Sequence, residues 1–244
     1  MQVAIVLYPG LTALDALGPY EVLNLMPDTE IRFVGARPGP VAADSGVLFL
    51  GVTHTYAETP APDLVLVPGS SAATATAMAD RALLDWLRAV HPTARWTTSV
   101  CSGALILAAA GLLRGKRATT HWLAQSGLAA FGAISCPSER IVRSGDIATA
   151  AGVSAGLDLA LWLVGEIHGR ERAETIQLLI EYDPRPPFDM GHPDKASPRV
   201  LRQARAELVR AGANARTAIA IPQVAWREAL DRFRARGRRR APSS

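Results

Sequence analysis

The sequence predicts a doubly wound α/β domain, a mostly parallel sheet with helices on both faces. Two observations lead there. Runs such as "QVAIVL" and "DLVLV" are, after their first residue, continuously apolar rather than apolar at alternate positions, as strands buried on both faces are. These runs also alternate with helical stretches, in the order that parallel pairing requires.

The elements follow in order. "MQVAIVLYPG" has no basic leader and reaches Pro-Gly within ten residues, so it is expected as a first strand and not as a signal peptide. "PYEVLNLM" is helical, with Pro19 suited to a first turn. "EIRFVGA" is a strand, and "PVAADSGVLFLGVTHTY" reads as a hairpin turning at Asp44, Ser45 and Gly46. After "DLVLVPG", residues 74–90 are expected to form one amphipathic helix ending near His91-Pro92. "RWTTSV" is a strand and "SGALILAAAGLL" a helix closed by Gly111. "TTHWLAQSGLAAFG" is expected as a helix capped by Thr119 or Thr120. "RIVRSGDIATA" is a second hairpin around Ser144-Gly145, and "SAGLDLALWLVGEIHG" a long apolar helix capped by Ser154. Residues 182–198 hold too much proline for regular structure and are expected as an extended arm or a mobile segment. The rest is expected as two helices. The domain reading is therefore residues 1–194 with a basic helical extension, 195–244, packed on the same domain.

Composition narrows the class. Hydrophobic residues make up 49% of the 244, ample for a core. Two cysteines do not make a disulfide framework, which points to a reducing, cytoplasmic setting. No apolar run approaches the roughly 18 residues that cross a bilayer. The net charge of +4 is uneven: residues 195–244 carry 13 basic and 3 acidic residues, while 1–194 carry 13 basic and 19 acidic. The Arg-rich end "RFRARGRRRAPSS" reads as a solvated helix with a frayed end; no base-reading module accompanies it, so nucleic acid is not expected as a partner.

In open α/β sheets, sites form at the carboxyl ends of strands. Three such ends carry unusual residues: "YPGLTALDALGPYE", "PGSSAA" and "SVCSGA". If those strands are neighbours, Asp15, Gly69 and Cys101 converge. Small residues (Ser99, Ser102 and Gly103) around Cys101 suit a sharp strand–nucleophile–helix turn. A helix N-terminus there favours thiolate, although a buried free cysteine is often plain core. Cys136, before Pro137, lacks such surroundings. Asp15, between Leu14 and Ala16, is a candidate proton carrier with a raised pKa, or else a cap for the Pro19 helix. His121 is packed, capping or catalytic. None of the five histidines shows ligand spacing, so no metal is expected. "GLLRGKR" is too short for a phosphate loop.

The stretches "YPGLTALDALGPYEVL", "DLVLVPG", "SVCSGALILAAAGLLRGKRATTHW", "AAGVSAGLDLALWLV" and "EYDPRPPFDMGHP" resemble the DJ-1/PfpI superfamily, and within it the isonitrile hydratase branch. The resemblance covers most of residues 1–194. It implies a flavodoxin-like fold with a Cys nucleophile elbow, also seen in class I glutamine amidotransferases. It implies a homodimer and cofactor-independent hydration of an isonitrile to an N-substituted formamide. It places the nucleophile on Cys101, the essential acid on Asp15 and the neighbouring hydroxyl on Ser102, with substrate binding at Gly69, Ser70 and Gly103. Two departures stand out. Ser102 replaces the usual Thr, which leaves the hydroxyl less fixed. Ser70 replaces the second Gly of Pro-Gly-Gly, which adds bulk near the pocket. Protease and glyoxalase siblings often carry His after the nucleophile, where this chain has Ser102. Sensor domains of AraC-type regulators share much of the pattern, but the helix-turn-helix region they carry needs more chain than is expected here.

Overall fold

The computed structural model describes residues 1–240, with side chains throughout except at 215 and 231–240; the expected frayed end at 241–244 lies outside the described residues. In chain order the elements are β1 (Gln2–Val6), α1 (Ala13–Leu23), β2 (Glu30–Gly35), β3 (Gly39–Ala42), β4 (Phe49–Val52), β5 (His54–Thr55) and β6 (Leu64–Val67). Then come α2 (Thr74–Ala79), α3 (Arg81–Val90), β7 (Trp96–Ser99), α4 (Gly103–Ala109), β8 (Arg117–Ala118), a 3-10 turn (Trp122–Ala124), α5 (Gln125–Ala130) and β9 (Ile134–Ser135). The chain continues through β10 (Ile141–Ser144), β11 (Ile147–Ala150), α6 (Ala155–His168), α7 (Arg170–Leu179), α8 (Pro198–Gly212) and α9 (Ala215–Arg240).

The main sheet has the order β10-β11-β7-β6-β1-β2-β5. Every pairing in it is parallel except β10 with β11, the second expected hairpin. From β1 the chain crosses to β2 on one side; from β6 it crosses to β7 on the other. Right-handed crossovers in opposite directions put α1 and α3 on opposite faces, which gives the flavodoxin-like sandwich. The reversal falls between β1 and β6, neighbours in the sheet, so their carboxyl ends flank a crevice. All four residues of β6 and of β7 are buried, as the continuous apolar reading of β6 requires.

Several local expectations need correction. Residues 74–90 form two helices, because Asp80 turns to extended backbone and its Oδ1 caps α3 by accepting from the amides of Ala82 and Leu83. α1 starts at Ala13, so Pro19 lies inside it and offers no amide to the carbonyl of Asp15 four residues back. Asp15 therefore sits in the first turn of α1 and does not cap a helix at Pro19. Thr119 and Thr120 are buried and cap nothing; His121 caps the 3-10 turn, its Nδ1 accepting from the Leu123 amide at 3.3 Å. Ser154 precedes α6 without a capping bond, its hydroxyl instead accepting from Arg140 at 3.3 Å. The turn at Asp44–Gly46 does close the β3–β4 hairpin.

Residues 182–197 hold no helix or strand, as their prolines predicted, and are mostly exposed. α8 starts with Ser197 as cap and Pro198 in its first turn. α9 lies on α2: Thr217 Oγ1 donates to Ala72 O at 3.0 Å, and Arg227 donates to Ala79 O at 2.8 Å, at the negative end of α2. Among the described residues no helix is long and apolar enough to cross a membrane.

Candidate active site

Cys101 is one of three described non-glycine residues with positive φ, at 57°. Such a conformation costs on the order of 1–3 kcal/mol and persists only where its surroundings impose it. Here they do. The Cys101 amide donates to Ala151 O at 2.8 Å, beyond β11, and its carbonyl accepts from Thr120 Oγ1 at 2.8 Å. The elbow is also pressed against the end of β6. A Cβ on Gly103 would lie 2.1 Å from Val67 O, and one on Gly69 would lie 2.5 Å from the Ser102 amide. Only glycine permits that approach.

Asp15 reaches the same place from α1. It is 0% exposed, and its Oδ2 accepts from the Gly69 amide at 2.8 Å. Gly69 is tied on its other side too, since its carbonyl accepts from the Thr12 amide at 2.9 Å. Asp15 Oδ1 is buried without a closed hydrogen bond, and the Cys101 thiol acts on this carboxyl. Burial pushes the carboxyl up to about 7, opposed by the Gly69 amide. The charge of Asp44, in the β3–β4 turn, pushes the same way as burial.

Cys101 does not meet the expectation of a helix-activated thiolate. Burial, with the nearby Asp15 charge, pushes its thiol well above the ordinary value; the amide and hydroxyl of Ser102 only partly oppose this. At 6% exposed, the thiol has lost the water that would solvate its anion, and α4 is a short helix of seven residues. The two groups form a coupled pair whose protons belong to both. Iodoacetamide should therefore alkylate wild-type Cys101 mainly above the free-thiol value of about 8.5. Asp15→Asn should move that midpoint downward by deleting the like charge. A wild-type midpoint below pH 7 in the alkylation profile would contradict the coupling.

Ser102 is fixed more firmly than its missing methyl implied. Its Oγ accepts from the Ser70 amide at 2.9 Å, lies 3.0 Å from Ser70 O and 2.6 Å from Thr74 Oγ1. Ser70 does not intrude either. Its hydroxyl donates to Gly10 O and accepts from the amides of Ala72 (3.0 Å) and Ala73 (2.8 Å). The substitution thus caps the turn into α2 and ties it to the loop after β1.

These groups open on a cavity of ≈ 230 Å³. Cys101, Ser102, Ser70, Ser71, Thr12 and Thr74 are its polar lining residues, Leu105, Leu123, Ala124, Val153 and Leu208 its apolar ones, and His121 lines it too. Gly69 and Gly103, expected at the substrate, instead serve the packing of the elbow on β6. His121 is held neutral by burial, and with Nδ1 accepting from Leu123 it presents a protonated Nε2. Sequence reasoning missed Leu208, which reaches the cavity from α8, and Tyr8, whose buried phenol donates to Pro68 O at 2.9 Å and is pushed up by burial and the Asp15 charge. Nothing in α8 marks Leu208 apart from its other apolar positions. Cys136 follows β9 and does not line the cavity, its thiol 3.6 Å from Ile134 O.

The sequence profile of the DJ-1/PfpI family matches residues 1–166. The chain belongs to the DJ-1/PfpI family. Within it, the chain is 43% identical over 205 residues to the isonitrile hydratase of Pseudomonas putida, covering 84% of this chain and 89% of that one. It is 30% identical over 179 residues to the HTH-type transcriptional regulator CdhR of Pseudomonas aeruginosa, covering 70% of this chain and 52% of the regulator. A crystal structure of a ThiJ/PfpI family protein from Pseudomonas syringae superposes with a TM-score of 0.82 at 38% identity, covering 90% of each chain. Drosophila melanogaster DJ-1beta, at 18% identity and a TM-score of 0.68 over 74% of this chain and 97% of its own, shares the fold.

Proposed function

We propose that this DJ-1/PfpI protein hydrates an isonitrile to an N-substituted formamide, with Cys101 as nucleophile and Asp15 as the single proton carrier. The observation that supports this most is the pair itself: a thiol on a strained elbow, lining a cavity of mixed polar and apolar residues, beside a buried carboxyl poised near 7. The likeness to the P. putida isonitrile hydratase names the reaction.

The chemistry balances with water as the only co-reactant. In the reactive form the pair holds one proton, which rests on the Cys101 thiol and shifts to Asp15, leaving the thiolate that attacks. Cys101 attacks the terminal carbon of R–N≡C while Asp15 gives that carbon its proton, and the product is the thioimidate R–N=CH–S–Cys101. Asp15, now a carboxylate, takes a proton from water as the oxygen adds to the same carbon, and passes it to nitrogen. The adduct R–NH–CH(OH)–S–Cys101 loses its hydroxyl proton to Asp15 as the C–S bond breaks. The formamide R–NH–CHO leaves, and the thiolate and carboxylic acid are restored. One group acts as acid and then as base, which calls for a pKa near working pH. Buried oxygens that already have partners, such as Ser102 Oγ, do not compete for the proton.

The match to a transcriptional regulator favours a second reading, a ligand-binding domain without turnover. Incubating the purified chain with cyclohexyl isonitrile and following formamide by mass spectrometry separates the two. Steady formamide production supports the hydratase; binding without product supports the sensor.

We also propose a homodimer in the cytoplasm. Val47, Phe49, Leu178 and Phe188 are exposed apolar side chains that a partner could cover, and two-fold pairing is the commonest closed symmetry. Light scattering at micromolar concentration should give twice the chain mass; a monomer mass would reject it.

A further inference from the structure

We propose that Leu105 sets the length limit of the substrate's substituent, as the wall between the Cys101 cavity and a second apolar chamber. The proposal rests on the hydratase reading for its substrate class. At ≈ 230 Å³ the cavity falls below the roughly 300–1,000 Å³ of pockets that take drug-sized ligands. Leu105, on α4, is one of its apolar lining residues. The same side chain lines a separate pocket of ≈ 720 Å³, walled by Met78, Phe131, Ile221 and Val224 from α2, the end of α5 and α9.

The wall is one side chain thick. Along α2, Thr74 lines the cavity and the next residue, Ala75, lines the chamber. On the α5 side, Gly127 leaves the space that Leu105 fills: a Cβ there would lie 2.9 Å from Leu105 Cδ2 and 3.3 Å from Cδ1. Leu105 therefore rests on bare backbone and closes the passage. A substituent longer than the cavity meets Leu105, and past it finds a mostly apolar chamber. An alkyl or aryl chain suits the apolar residues on both sides of that wall.

Shortening Leu105 joins the two spaces, and filling Gly127 drives Leu105 toward the thiol. The test measures two selectivities on Leu105→Ala and Gly127→Ala, each made in Cys136→Ala protein and checked by melting temperature. The first is the Cys101 alkylation rate with N-hexyl iodoacetamide relative to iodoacetamide, which needs no turnover. The second is kcat/KM for n-decyl relative to n-butyl isonitrile. Leu105→Ala should raise both ratios at least tenfold, since each newly buried methylene is worth about fourfold. Gly127→Ala should lower them, and it decides the matter if Leu105→Ala does not fold. Unchanged ratios in folded variants overturn the proposal. A shifted alkylation ratio with no formamide from either isonitrile upholds the wall and rejects the hydratase reading. Formamide production with unchanged ratios does the reverse.

Discussion

Cys101→Ala is expected to lose formamide production entirely while keeping the fold. The loss should be on the order of 10⁶-fold, the scale for deleting a nucleophile that acts as one unit with its proton partner. The small cavity gives the reaction no second thiol: Cys136 lies outside its lining, and Cys136→Ala should leave turnover near wild type. Stability adds a second readout. At φ 57° any side chain with a Cβ is strained, and glycine is not. Cys101→Gly should therefore melt above Cys101→Ala by the equivalent of about 1 kcal/mol, with both inactive. Comparable activity loss in folded Cys101→Ala and Cys136→Ala proteins would remove the assignment. Equal melting of the Ala and Gly variants would show that the elbow carries no strain.

Asp15→Asn is expected to cost turnover about 10²–10⁴-fold, the usual worth of general acid–base help, and at the same time to stabilise the protein above neutral pH. The amide keeps the shape and can still accept from the Gly69 amide, but it carries no titratable proton. The pH dependence follows from a folded pKa of about 7 against the ordinary carboxyl value of 3.8. Between those values the folded chain keeps a proton that the unfolded chain has lost. Stability therefore falls as pH rises through that window and stays lower above it. The full cost of burying the charge is about 4 kcal/mol. Asp15→Asn should escape it, so its melting temperature should exceed wild type at pH 8 and approach it near pH 4. Thermal melts across that range, beside formamide rates and Cys101 alkylation, make the test. Near-wild-type turnover would sink the acid–base role. A wild-type melting curve as flat in pH as that of the variant would show that the carboxyl is not held near 7.

Such a stability cost marks Asp15, ahead of the histidines, as a group kept for chemistry. A carboxyl placed in the first turn of a helix, 0% exposed and with one oxygen left unpartnered, is not there for packing. The surrounding hydrogen bonds hold it in place rather than neutralise it: Gly69 takes one oxygen, and the other is left toward the thiol. His121, by contrast, has its Nδ1 engaged by its own turn.

By itself the sequence determined the sheet and which strand ends matter. Continuous apolar runs at 3–6 and 64–67 dictate buried parallel strands, because only such strands lose both faces to helices. The small residues around Cys101 dictate a sharp turn, because nothing larger fits between the elbow and β6. Tertiary structure decided the rest. Asp80 broke a helix that its apolar period alone would continue, because a side-chain cap supplied amides with a better partner. Leu208 joined the cavity from far along the chain, and Leu105 acquired two pockets, through packing that no local pattern records. The protonation of the pair was decided the same way. A helix N-terminus is visible in sequence and favours thiolate; the removal of water and the arrival of Asp15 are not visible, and burial outweighs a dipole that acts only over its first turn.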